Sequence, residues 1–199
     1  MSVAPKQKVS REMVLDAAFE IARGEGAEGI SARAVARKLD CSTQPVLYHF
    51  ATIEDLKSAV YEKADACHTA YILQGRDGCA ASMIEIGLSY IRFGAMEPNL
   101  FRFLFQSNRF SDRKLSDLTG DPALEPVMQA LSRDMEMNRR QARSVFTAVF
   151  LLAHGMASML ANNAMEYDEA QTACLLRGAM RGMIHAFFEE GVSDEAAEE

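Results

Sequence analysis

The chain has 199 residues, of which 49% are apolar and 25% charged, and it carries four cysteines, no tryptophan and a net charge of −7. That length suits one or two compact domains with a buried core, and that composition excludes wholesale disorder. There is no basic start leading into an apolar stretch and no run of about 18 or more apolar residues, so secretion and membrane spanning are disfavoured and the cytoplasm is the default expectation. The longest apolar candidate, near 145–160, is interrupted by His154, Gly155 and Ser158.

Cys41, Cys67, Cys79 and Cys174 form no C-x-x-C pair, and the histidines are dispersed, so no metal site, disulfide framework or cofactor is expected. Cys67 and Cys79 are read as inert buried thiols rather than oxidant sensors, since reactivity needs an exposed, acidified thiol. The twelve methionines suit an adaptable interior. Residues 1–50 hold seven Lys or Arg against six Asp or Glu, a balance of +1, whereas residues 51–199 hold 14 against 22, a balance of −8. An acidic protein can still present a basic surface at one end.

In chain order, Lys6 and Lys8 lie in a short basic arm. Ser10 is placed to cap a helix over 11–23, with Val14, Leu15, Ala18, Phe19 and Ala22 on one apolar stripe and Gly24 and Gly26 as its stop. Ser31 can cap a second helix ending near 39, with Ala32, Val35, Ala36 and Leu39 inward. After a tight turn at Asp40-Cys41, Ser42 can cap a third helix. Pro45 then falls at its third position, where a backbone N–H has no intrahelical partner in any case.

Thr52 and Asp55 have capping-box spacing ahead of a long helix to about 73, with Leu56, Val60, Ala64 and Cys67 inward. Further helices are predicted over 80–95, 98–106 and 122–137, with 107–121 as a polar loop able to gate a ligand. The last two, over 140–164 and 167–190, are apolar nearly all round, and Gly155, Gly178 and Gly182 allow close approach. Such helices must be covered on more than one side, and a second subunit is the economical cover. No strand-like alternation persists, so the chain is expected to be all-α.

Two short helices joined by a tight turn, with polar residues opening the second, form a helix-turn-helix pattern. A recognition helix presents its first residues to the major groove, here Thr43, Gln44 and Pro45. Gln pairs bidentately with adenine, and the Thr methyl or Pro ring can meet a thymine methyl. Tyr48 and His49, one turn on, can bond phosphates. Arg33, Arg37, Lys38, Lys57, Lys6 and Lys8 can add phosphate contacts that make affinity fall with salt, and Ser31 and Ser42 at the helix starts complete the candidate set. Leu47 and Phe50 are read as core.

Residues 10–60 resemble the N-terminal domain of the TetR family of bacterial transcriptional regulators. The likeness is carried by Val14-Leu15-Asp16-Ala17-Ala18-Phe19, by Gly26, by Ile30-Ser31-Ala32-Arg33-Ala34-Val35-Ala36, by Leu39-Asp40-Cys41-Ser42 and by Leu47-Tyr48-His49-Phe50 ahead of Glu54-Asp55-Leu56. The resemblance implies a DNA-binding helix-turn-helix domain over 1–51, and an effector-binding and dimerisation domain over 52–199. It implies a ligand-responsive homodimer, most often a repressor, that binds an inverted-repeat operator. Its last two helices would form a four-helix bundle with those of a second copy. Thr43, Gln44 and Pro45 fall where the family reads bases, and Tyr48 and His49 where it commonly contacts phosphate. Two positions depart from the pattern: Asp40 stands where glycine is frequent, and Ile53 where a lysine is common.

The resemblance names no ligand. Residues 96–105 are similar to a segment seen in many members, and place Leu100, Phe103 and Leu104 toward core or pocket. An apolar or amphipathic small molecule is expected, held by Met83, Met96, Phe101, Phe105, Met128, His154 and Met156. Two other readings fit an all-helical chain: a protein–protein adaptor whose head binds no DNA, and a cofactor-independent helical enzyme. For the enzyme there is no G-x-S-x-G, H-E-x-x-H or glycine-rich phosphate loop, so none is expected.

Overall fold

The computed structural model describes residues 9–73, 83–106, 125–134, 136–163 and 165–189. The expected loop over 107–121, the arm lysines Lys6 and Lys8, and Cys79 lie outside the described residues. Among those described there are nine α-helices, one 3-10 turn and no strand. The helices are α1 (Arg11–Glu25), α2 (Ala32–Lys38), α3 (Thr43–His49), α4 (Ile53–Leu73), α5 (Met83–Met96), α6 (Pro98–Phe105), α7 (Glu125–Asp134), α8 (Arg139–Asn163) and α9 (Glu169–Glu189), with the 3-10 turn at Ala27–Gly29. The chain divides into two compact units, Met1–Ala70 with Glu97–Arg109, and Tyr71–Met96 with Phe110–Glu199.

In the first unit α1 begins as its cap predicts, the Ser10 hydroxyl accepting the Met13 N–H at 3.2 Å. It runs two residues beyond the expected stop and ends on Gly26 at φ +84°, a conformation glycine adopts without steric penalty. Ser31 caps α2 by accepting the Ala34 N–H at 3.2 Å. The capping box of α4 closes in both directions, Thr52 N–H to Asp55 at 3.0 Å and Asp55 N–H to Thr52 at 3.1 Å. Val14, Ala18, Phe19, Val35, Val46, Phe50, Leu56 and Val60 form the core with Leu100, Phe101, Phe103 and Leu104 of α6.

α6 also holds the end of α1. Asn99 donates to the carbonyls of Arg23 and Gly24, each at 2.9 Å, and so satisfies acceptors that a helix terminus leaves open. Arg23 grips Glu97 through both carboxylate oxygens, with its Nε 2.8 Å from Oε2.

Two apolar assignments along these helices are corrected. Leu47 is 48% exposed rather than core, because Val46 takes the inward direction and the next residue is rotated about 100° away. On α4 the buried row continues from Leu56, Val60 and Ala64 to His68, one four-residue step on, and leaves Cys67 exposed. His68 meets the Phe105 ring edge-on, with centroids 5.1 Å apart.

In the second unit α5 packs against α8 and α9, and α8 against α7 and α9. Two glycines of α5 make this possible. A Cβ at Gly94 would stand 2.8 Å from the Ala157 Cβ and 2.9 Å from its carbonyl oxygen, and one at Gly87 would stand 2.8 Å from Leu176 Cδ2. α8 is long and apolar enough to cross a membrane by length and composition alone. One side of it, including Ala142, Val145, Val149, Ala153 and Ala157, is nevertheless buried in this unit.

The opposite sides of the last two helices are open. Leu151 and Met159 on α8 and Leu175 on α9 are exposed, and no described atom lies within 4 Å of where a Cβ would stand at Gly155, Gly178 or Gly182.

Candidate nucleic-acid interface

The first unit gathers the described DNA-contact candidates on α2, α3 and the start of α4. The turn joining α2 to α3 is built on Asp40, at φ +48°. The Cys41 N–H reaches the Ala36 carbonyl at 3.0 Å, and the Asp40 N–H that of Arg37 at 3.3 Å. These paired bonds are a Schellman closure, which requires left-handed backbone at the residue where Asp40 stands. Aspartate tolerates that geometry better than most residues, so the helix-turn-helix closes without the glycine frequent in the resembling family.

α3 presents Gln44, Leu47 and Tyr48 along one exposed side, while Val46 is buried. Thr43 and Pro45 are half-buried at its start. Tyr48 is 82% exposed, a phenol held in water on a short, anchored helix. Ser42 occupies the cap position, but its hydroxyl makes no cap bond. Pro45 at the third helical position has no N–H to offer it, which leaves only the second-position amide within reach.

Arg33, Arg37 and Lys38 are exposed on α2, as is Ser31 at its cap. Lys57 is half-buried and ion-paired with Glu54 at 3.5 Å, so its charge is partly engaged before any partner arrives. His49 is half-buried, with its Nε2 3.0 Å from the Val9 carbonyl oxygen.

The ligand candidates fall in both units. Phe101 is buried and Phe105 half-buried in the first unit, 5.0 Å apart between centroids. In the second unit Met83 and Met128 are buried, Met156 and His154 half-buried, and Met96 exposed. His154 Nδ1 lies 2.9 Å from the Tyr90 hydroxyl. Burial pushes the His154 imidazole below its ordinary range and the Tyr90 phenol above its own, so the bond joins a neutral ring to a protonated phenol. Phe150 lies against both rings, with centroids 5.6 Å from Tyr90 and 5.9 Å from His154, and stacks on Phe146. Sequence periodicity found His154 but missed Tyr90, whose partner is 64 residues away. Among the described residues no three His, Cys, Asp or Glu side chains gather into a group that could hold a metal ion.

No protein-family model matches the chain, and no curated protein sequence does. Its fold does match solved structures. A TetR-family transcriptional regulator from Streptomyces coelicolor aligns with a TM-score of 0.66 and 14% identity, over 96% of this chain and 86% of that one. A TetR-family member from Streptomyces coelicolor A3 aligns with a TM-score of 0.54 and 20% identity, over 85% and 96%. A protein described as a TetR-family transcriptional regulator from Rhodococcus sp. aligns with a TM-score of 0.56 and 15% identity, over 87% and 98%. At these identities the likeness is one of fold: an all-α chain with an N-terminal helix cluster and a larger C-terminal helical bundle.

Proposed function

We propose that this chain is a sequence-specific DNA-binding transcriptional regulator, a homodimer whose affinity for its operator responds to a small ligand. The observation that carries the reading is the exposed side of α3. A seven-residue helix locked into a helix-turn-helix holds Gln44, Leu47 and Tyr48 in solvent, beside Arg33, Arg37 and Lys38 of α2. Gln44 can bond an adenine edge bidentately, Thr43 and Pro45 can meet thymine methyls, and the basic groups supply salt-dependent phosphate contacts. The exposed Leu47 adds an apolar surface for a thymine methyl or a sugar.

The open sides of α8 and α9 are assigned to a second copy. Leu151, Gly155 and Met159 recur at four-residue steps, and Leu175, Gly178 and Gly182 at steps of three and four, so each helix offers one apolar, glycine-lined stripe for close approach. The residue 1–51 head would then be held in pairs, matching an inverted repeat. The ligand would be small and apolar or amphipathic, with the Tyr90–His154 pair as the polar point among aromatic rings. Repression is the direction of control that the TetR resemblance favours.

The test is selection of source-genome fragments by the purified protein at about 150 mM salt, a physiological ionic strength. Enrichment of an inverted repeat near a few promoters is the expected result. Uniform recovery, or none, from folded and dimeric protein overturns it.

A further inference from the structure

Charge is distributed unevenly along α8 and α9. Between residues 139 and 188 the only acids are Glu166, Asp168 and Glu169, all in or beside the connection, whereas the arginines lie on the helices. Two of these charges are engaged within the unit, Arg139 with Glu125 and Glu169 with Arg92. Glu166, Asp168, Arg140 and Arg181 are exposed. Asp168 also caps α9, its carboxylate accepting the Gln171 N–H at 3.0 Å.

Helical spacing sets where the two arginines point. At about 100° per residue, Arg181 lies about 60° round α9 from Gly178, and Arg140 about 60° round α8 from Gly155, so each borders the open stripe of its helix. The connection over 164–168 is short, so the helices run antiparallel and the acids stand at one end of the open face. Arg181 is about 20 Å of helix from Asp168, and Arg140 opens α8 at the end remote from the connection. The face is thus acidic at its turn, apolar through Leu151, Gly155, Met159 and Leu175, and basic toward its far end.

We propose that a second copy docks antiparallel on this face, so that Glu166 and Asp168 of each copy meet Arg181 and Arg140 of the other. This rests on the dimer reading above and gives it an orientation. A two-fold axis through the apolar middle, perpendicular to the helices, makes both charge contacts at once, because an isologous interface uses each contact twice. Parallel docking sets acid on acid and arginine on arginine. Ion pairs at a rim add little affinity, but juxtaposed like charges exclude the wrong arrangement.

The experiment is sedimentation equilibrium of the full chain at about 50 and 500 mM salt, where screening is weak and strong. The wild-type dimer should weaken as salt rises. Arg140→Glu with Arg181→Glu should weaken it about 10-fold or more at low salt and reverse the salt dependence, since like charges then meet. Adding Glu166→Lys and Asp168→Asn, which keeps the cap, should recover most of that loss. Should the reversed chain not fold, Arg140→Gln with Arg181→Gln, which only removes charge, should flatten the salt dependence.

A dimer that the arginine reversal leaves as strong as the wild type overturns the proposal, and is the result parallel docking gives. A four-fold variant no stronger than the arginine reversal alone also overturns it. A wild type that stays monomeric overturns the dimer reading instead, and is told apart because it needs no substitution to be seen.

Discussion

Gln44, Leu47 and Tyr48 share one side of α3, and each would bring a different chemistry to a duplex. Gln44→Ala should weaken binding to the selected site by about 1–3 kcal/mol and relax preference at one base position. Equal losses on selected and random duplexes would remove Gln44 from base reading. Tyr48→Phe removes a hydroxyl and should weaken both duplexes alike. The exposed placement of Gln44 and Tyr48 is legible in sequence, because a polar or polar-tipped side chain on a short helix is most easily accommodated in water. Leu47 is not, since either of two adjacent apolar residues can face the core, and only the third dimension decides which.

His68 makes a second prediction at this scale. Burial among apolar neighbours pushes its imidazole down to about 4, against about 6.5 in an unfolded chain. Between those values the unfolded state binds a proton that the folded state refuses. Stability is therefore indifferent to this group above about pH 6.5 and falls as pH drops toward 4, by up to roughly 3 kcal/mol. His154, also lowered by burial, acts in the same direction. Urea unfolding at pH 7 and pH 5 should show a smaller loss in His68→Leu than in wild type, and identical losses would refute the assignment.

Among the elements, helix ends were the most legible. Ser10, Ser31 and the Thr52–Asp55 box each close as their spacing predicts, because capping depends on residues three apart in the chain. The left-handed residue closing α2 is an aspartate, and Glu136 after α7 adopts φ +53° with the same closure, its Met137 N–H 3.0 Å from the Ser132 carbonyl. Asp40→Gly should relieve that geometry and raise stability by up to about 1 kcal/mol in urea unfolding. A loss would mean that the Asp40 side chain supplies more than the backbone withholds.

Gly87 and Gly94 were illegible for the opposite reason. A glycine inside a helix reads as a weakness until the neighbouring helix is known. Gly94→Ala would press a methyl against the Ala157 backbone, which cannot rotate away, and should destabilise the second unit by about 1–3 kcal/mol. Gly155→Ala meets no described atom and should raise the stability of the isolated subunit by up to about 1 kcal/mol.

For the whole molecule, the exposed stripes on α8 and α9 would, on the proposed reading, tie assembly to function. Gly178→Glu and Leu151→Lys each place a charge where a second copy would dock, and sedimentation should show monomers that retain their helix content. Dimers of undiminished stability in both variants would assign those stripes elsewhere. The excess apolar surface of the last two helices was legible from composition alone. The division of the chain into units was not, because α6 belongs with residues before Ala70 although α5 intervenes. That interruption has a consequence for synthesis on the ribosome. The apolar seat that Leu100, Phe101, Phe103 and Leu104 fill stands vacant until they are made, roughly 2–7 s after Ala70 at about 5–20 residues per second. Through that interval a nascent head displays greasy surface to chaperones and proteases, and a gene fragment ending at Ala70 would leave it displayed permanently.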